Sequence, residues 1–316
     1  MERISPRFLN TFPPDKMLCH PYWMAEPPFR IWGNLYFVGN SWCSSHLIDT
    51  GDGLILLDTP CLAELPYLLD SIWSVGFNPR EIRMILISHA HHDHYGAASA
   101  LRHITGAKIC LSAVDAADMA ARPEWFHRHN RERIPPDENF RADRLLEDGE
   151  TVKLGDTQIQ CALTPGHTPG TMSHFWTAHD RERGPARIGI YGGAGFGTVR
   201  TAFLEEAGLP LSLQQAFEAS IQKVWYRPVD LMLGNHPCHN DTFSKWRRLQ
   251  AGEQNPFWDP SEWQRFWGSS DAPIGRSWLW LPRTRPPCMS AAGSATIAVT
   301  ARPDGFRGRD HKANHC

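Results

Sequence analysis

One nine-residue stretch constrains this chain more than any other. Ser88-His89-Ala90-His91-His92-Asp93-His94-Tyr95-Gly96 has the form His-x-His-x-Asp-His. It follows the apolar run Met84–Ser88, which has the character of a buried strand. It precedes Gly96–Ile104, whose apolar spacing predicts a helix. Four ligand-type side chains within six residues are confined to one small volume. Left alone, such a cluster is costly, because it is desolvated and self-repelling. Neutral imidazole and carboxylate are suitable zinc ligands, and one tetrahedral ion uses only part of this set, so two neighbouring ions are expected. A strand whose carboxyl end feeds a loop and a helix is where α/β folds present function.

The rest of the chain continues that alternation. Residues 34–60 predict three short strands, with Thr50-Gly51-Asp52-Gly53 as the turn between the second and third. A helix is expected over Leu62–Val75, a strand over Ala107–Ala113 and a short helix over residues 114–121. Residues 122–140 are polar and hold Pro123, Pro135 and Pro136, which predicts a long loop, placed as a lid. Strand periodicity returns over Thr151–Thr177 and Arg187–Gly193. Then follow an amphipathic helix over residues 212–226, a strand over Val229–Gly234 and a helix over Asp241–Leu249. The pattern of strands then helices occurs twice, which predicts an α/β domain with sheets inside and helices outside. This domain is expected over residues 29–270, after an N-terminal extension of residues 1–28. Residues 271–316 carry seven Lys/Arg against three Asp/Glu with no sustained period, and a poorly ordered tail is expected there.

Two further histidines stand in motifs that could aim them at the cluster. His167 lies between two Pro-Gly turns in Thr164-Pro165-Gly166-His167-Thr168-Pro169-Gly170, directly after an apolar strand. His236 ends the strand Val229–Gly234 in Leu233-Gly234-Asn235-His236-Pro237, the kind of position His89 holds. His92 lies between ligands and is expected to point away. His46 reads as a core or surface residue, while His174 and His239 lie near the motifs and are only candidates for supporting a ligand. Tyr191, Trp125 and Phe126 are candidates for shaping a pocket, although aromatics more often pack. Trp246, Trp258, Trp263 and Trp267 are expected to cover the sandwich.

Composition removes several alternatives. Lys+Arg number 32 and Asp+Glu 34, a net charge of −2, so no basic field is available to capture nucleic acid. No apolar run approaches the ~18 residues of a membrane span. The 41% hydrophobic content is too high for wholesale disorder. Cys19, Cys43, Cys61, Cys110, Cys161, Cys238, Cys288 and Cys316 are scattered without a C-x-x-C spacing and are expected as buried reduced thiols. With no secretory signal in the opening residues, the expected place is the cytoplasm, or the periplasm or exterior if an export signal has been removed. Ser88 lies in no G-x-S-x-G elbow, which sets aside a serine hydrolase.

Together these motifs resemble the metallo-β-lactamase superfamily. The resemblance runs from about Phe29 to Leu249, through PFRIWGNLYFVG, GLILLDT, H-x-H-x-D-H, TPGHTPG and the late histidine. It implies an αββα sandwich, two mixed sheets packed face to face with helices outside and metals at one edge. It implies that His89, His91 and His167 bind a first zinc, and that Asp93, His94 and His236 bind a second. Most dizinc hydrolases of the superfamily also carry a bridging Asp late in the strand after TPGHTPG. Here that strand reads Arg187-Ile188-Gly189-Ile190-Tyr191-Gly192-Gly193-Ala194-Gly195-Phe196, without a carboxylate. The β-lactamase subclass with a three-His first site and an Asp-His-His second site shares that absence. The resemblance therefore implies a hydrolase that opens the amide of a β-lactam, a small-molecule substrate, through a metal-bound hydroxide, and so a role in antibiotic resistance. Asp93 would be catalytic, orienting the hydroxide by a hydrogen bond. Serines that hold the substrate carboxylate in that subclass are replaced here by Gly-Gly-Ala-Gly-Phe-Gly, which offers backbone N–H groups. The alternative is a housekeeping metallohydrolase of the same fold acting on another ester, lactone or amide.

Overall fold

The computed structural model describes residues 20–129 and 140–268. Its first sheet begins with β1 (Phe29–Trp32), β2 (Leu35–Phe37), β3 (His46–Asp49) and β4 (Leu54–Leu57), which are antiparallel neighbours. Helix α1 (Leu65–Ser74) then leads to β5 (Ile82–Leu86), which pairs parallel with β4. A helical turn α2 (His92–Tyr95) and helix α3 (Ala98–Thr105) lead to β6 (Lys108–Ser112). Helices α4 (Ala113–Ala121) and α5 (Pro123–His129) follow, and β7 (Arg144–Leu146) closes the seven-stranded sheet. The second sheet contains β8 (Thr151–Leu154), β9 (Thr157–Leu163), β10 (Met172–Asp180) and β11 (Gly184–Ile190), all antiparallel neighbours. After α6 (Thr201–Glu206) and α7 (Leu213–Trp225), β12 (Leu231–Leu233) joins β11 in parallel. Helices α8 (Thr242–Gln250) and α9 (Glu262–Trp267) complete the described chain.

The period of two along each strand builds three layers of core. In β4, Ile55 and Leu57 point to the interior between the sheets, while Leu54 and Leu56 point to the helical side. Leu231 and Leu233 of β12 likewise face the inter-sheet core, and Met232 faces α7 and α9. Phe29, Trp32, Phe37 and Trp176 fill the space between sheets. Leu68 and Ile72 of α1 and Leu101 of α3 seal one outer face. Phe217, Ile221 and Val224 of α7, with Trp263 and Trp267, seal the other. Each fully buried Leu or Ile contributes about 1.5–3 kcal/mol. The architecture is the expected αββα sandwich. The tryptophans do cover it: Trp246 stacks on Phe29, Trp258 lies on Trp32 and Trp263 meets Phe175.

Local punctuation sets the element ends. Gly33, at φ +48°, makes the β1–β2 turn, and a Cβ there would meet the carbonyl oxygen of His179 at 1.8 Å. Ser112 caps α4 by accepting the N–H of Asp115. Three expectations need correction. Strand β1 lies ahead of the strands expected from residue 34 onward. The stretch after β5 becomes helical at His92, earlier than Gly96. Residues 122–140 are not one loop, since Pro123 starts α5 at a position where its fixed φ suits the first helical turn. The remainder of the expected lid, residues 130–139, lies outside the described residues. So do residues 1–19 of the N-terminal extension and the tail 271–316. Residues 20–28 pack onto the domain, with Met24 buried beside Trp42, Cys43 and Cys61.

Candidate metal centre

The carboxyl ends of β4, β5, β9, β11 and β12 converge at one edge of the sandwich, each releasing a loop there. The loop after β5 carries His89 and His91. Turn α2 carries Asp93 and His94, the loop after β9 carries His167, and the loop after β12 carries His236. All six expected ligands therefore come together, in two groups. His89, His91 and His167 form the first, with ring centroids 4.7, 4.6 and 4.7 Å apart and planes nearly perpendicular. Asp93, His94 and His236 belong to the second. His94 Nε2 lies 3.4 Å from His236 Nε2 and 3.5 Å from Asp93 Oδ2, which is 3.7 Å from His236 Nε2. The groups are adjacent, since the rings of His89 and His94 are 4.2 Å apart.

The spacing tests whether a metal fits. A tetrahedral ion with ~2.1 Å bonds holds its ligand atoms about 3.4 Å apart. The second group matches this without adjustment. Orientation provides a second test. A metal-binding imidazole usually has its other ring nitrogen fixed by a hydrogen bond. His94 Nδ1 meets Asp58 Oδ2 at 2.9 Å, His236 Nδ1 meets the Trp42 carbonyl at 2.7 Å, and His167 Nδ1 meets the Gly195 carbonyl at 2.8 Å. His89 Nδ1 lies 3.0 Å from the Ser88 hydroxyl, which donates to Asp58 at 2.7 Å. In all four, Nε2 is left facing inward. His89 Nε2 is buried without a hydrogen-bond partner among the described residues. A buried nitrogen lone pair with nothing to bind is expensive unless a ligand completes it.

Charge follows the same plan. Burial alone would push the Asp93 carboxyl up, but the imidazoles of His94, His236 and His91 hold it well below the usual carboxylate range. Burial, reinforced by the neighbouring imidazoles, pushes His89 well below an ordinary histidine, and burial with His91 does the same to His167. His236 is also lowered, by burial and by His94. Burial would lower His94 too, yet Asp93 and Asp58 raise it overall. One carboxylate among mainly neutral imidazoles is the donor set a divalent ion of borderline softness prefers.

Two carboxylates that the sequence reading did not single out hold the loops in place. Asp58, at the end of β4, accepts from the Ser88 N–H at 2.6 Å as well as from Ser88 Oγ and His94. Asp115, in α4, accepts from the Ala90 N–H at 2.8 Å, the Gly170 N–H at 2.6 Å and Thr168 Oγ1 at 2.8 Å. It thereby ties the His89–His91 loop to the His167 loop. Cys43 is the third omission: its Sγ joins Asp93, His94 and His236 in a cluster whose ligand atoms all lie within 4.8 Å of one another. Its expected role was that of a buried thiol. It is buried, as are Cys61, Cys110 and Cys161.

Other expectations separate cleanly. His92 turns to Tyr95, 5.5 Å away, and joins neither group. His46 and His174 are core residues, each pushed down to about 4 by burial. His239 touches His236, with centroids 5.2 Å apart. Tyr191 is packing, set against Trp267 and Phe217. The half-buried Trp125 packs on Phe203. The segment after β11 has no room for a bridging carboxylate at Gly193, where a Cβ would stand 2.5 Å from His167 Cδ2.

Residues 40–179 match the model of the metallo-β-lactamase superfamily. The chain carries a domain of that superfamily. Its fold is similar to BJP-1, a subclass B3 metallo-β-lactamase of Bradyrhizobium japonicum. The TM-score is 0.68 at 27% identity, over 77% of this chain and 90% of that one. It is 30% identical over 171 residues to a probable metallo-hydrolase of Burkholderia pseudomallei, covering 50% of this chain and 52% of that protein. It is 32% identical over 106 residues to a hydroxyacylglutathione hydrolase of Pseudomonas aeruginosa, covering 34% of this chain and 33% of that protein. The chain thus spans about half or less of the length of these curated relatives.

Proposed function

We propose that this protein is a dizinc hydrolase that opens the amide of a β-lactam. The observation that carries the reading is the convergence of six side chains from three distant segments into two adjacent groups with inward-facing donor atoms. His89, His91 and His167 would hold the first zinc, and Asp93, His94 and His236 the second. Bound there, the ions supply Lewis acidity and a water activated near neutral pH. The chain's own residues do the rest. Asp58 and the carbonyls of Trp42 and Gly195 fix which nitrogen His94, His236 and His167 present. Asp93, whose carboxylate lies beside His94 and His236, would orient the attacking water by accepting its hydrogen bond. The partial exposure of His91, His167 and His236 leaves the centre open to a small substrate from one side. No protein nucleophile is required. Among the described residues no helix is long and apolar enough to cross a membrane.

The β-lactam assignment is supported by the fold likeness to a subclass B3 enzyme and by the absence of a carboxylate after β11. The 32% identity to a hydroxyacylglutathione hydrolase favours a second reading, a thioesterase on the same centre. Turnover of nitrocefin and of a hydroxyacylglutathione thioester should be measured side by side on zinc-loaded protein. We expect nitrocefin hydrolysis that a chelator abolishes and zinc restores. Thioester turnover without nitrocefin turnover would replace the β-lactam assignment with the second reading.

A further inference from the structure

The second group contains a donor that the six-ligand reading leaves unused. Cys43 lies fully buried on the loop between β2 and β3. Its Sγ is 3.4 Å from Asp93 Oδ2, within the same cluster as the donor atoms of His94 and His236. The loop is built to hold that position. Asn40 Oδ1 accepts the N–H groups of Trp42 at 2.8 Å and Cys43 at 2.7 Å, and its own amide donates to Glu64 at 2.7 Å. The Ser44 N–H donates to the Asn235 carbonyl at 3.0 Å, which ties the loop to the segment bearing His236. Trp42, one residue earlier, orients His236 through its carbonyl. A cysteine that only packs needs only apolar neighbours. This one has Met24, Trp42 and Cys61 on one side but a carboxylate and two imidazoles on the other.

We propose that Cys43 Sγ is the fourth protein ligand of the metal held by Asp93, His94 and His236. The inference rests on the dimetal reading above. A tetrahedral ion with a Zn–S bond of ~2.3 Å and a Zn–O bond of ~2.0 Å separates the two donor atoms by about 3.5 Å. The separation here is 3.4 Å. On loading, the thiol proton is released to solvent and the sulfur binds as thiolate. The two sites then differ in kind. Asp93, His94, His236 and Cys43 make a closed four-ligand set, as in structural zinc sites. The three-histidine site keeps an open position, as catalytic sites do. Water and the substrate carbonyl would meet at His89, His91 and His167, and the second metal would act mainly by charge and by fixing Asp93.

The test uses the full chain loaded with cobalt(II), with bound metal counted by elemental analysis. Wild type should bind two ions and show a near-ultraviolet thiolate-to-cobalt charge-transfer band. Cys43→Ser and Cys43→Ala should each lose the band, and weaken second-site affinity on the order of 10-fold or more while the first site still fills. X-ray absorption of the zinc-loaded wild type needs no variant and should show one sulfur at about 2.3 Å. Two bound cobalt ions with no such band, or a band that survives both substitutions, would overturn the Cys43 ligand and leave the six-ligand reading standing. Failure to bind metal beyond trace levels would overturn both.

Discussion

Asp58 shows how a single residue can be decisive and still be silent in sequence. It stands at φ 58°, an unusual conformation for a residue with a Cβ, and there its carboxylate collects Ser88 and His94. The sequence presents it only as the end of an apolar strand, because its partners lie 30 and 36 residues away. The six expected ligands were legible for the opposite reason: each sits in a local motif of strand end and turn. Cys43 had no motif around it, and a cysteine between two apolar strands reads as packing. His46 and His174 both lie buried in the core. Their burial has a measurable consequence. Both are held at about 4 against an ordinary value of 6.5, with burial outweighing the nearby Asp58. The unfolded chain therefore takes up these protons before the folded one does as the solution is acidified. Stability from these groups is intact above pH 6.5 and is lost as pH falls toward 4, by up to ~3 kcal/mol per histidine. Urea unfolding of metal-free protein at pH 7.5 and 4.5 checks this. His46→Leu should show a smaller drop between the two pH values than wild type, and an identical drop would remove His46 from the account.

At the scale of elements, α4 does more than cover the first sheet. Its N-cap, Ser112, positions Asp115, and Asp115 braces two ligand loops that leave different sheets. Burial raises the Asp115 carboxyl to about 6 against the pull of its hydrogen-bond donors, so it is ionised at neutral pH. Asp115→Ala would leave the N–H groups of Ala90 and Gly170 without an acceptor, at about 1–3 kcal/mol each. We expect a loss of roughly 2–5 kcal/mol in urea unfolding. Zinc affinity should fall at the three-histidine site, with little change at the Asp93 site, when each is followed by competition with a chelator. Equal weakening of both sites would show that Asp115 supports the fold generally and has no special hold on the first site. The elements themselves were legible where periodicity ran for five or more residues, as in β5, β9 and α7. Short apolar strands such as β3, β4 and β12 were legible too, between turn residues, whereas a single turn such as α2 left no period to read. Turn α2 is four residues long, and α6 and α9 are six, too short to carry a pattern.

At the scale of the whole molecule, the centre exists because two sheets end at the same edge. Ligands from β5 and α2 belong to the first sheet, and those following β9 and β12 belong to the second, so the inter-sheet core sets their distance. The sandwich was legible from alternating strands and helices together with the family resemblance. Which strands neighbour one another was not, because pairings such as Ile188 with Leu231 join residues distant in the chain, and no local pattern specifies them. The account's central claim is that the six side chains cage two ions. Anomalous diffraction at the zinc edge, from crystals of the zinc-loaded protein, tests it most directly. The account predicts two peaks per chain, one within about 2.0–2.1 Å of His89, His91 and His167, and one at bonding distance from Asp93, His94 and His236. A single peak between the groups, or none at this edge of the sandwich, would contradict it.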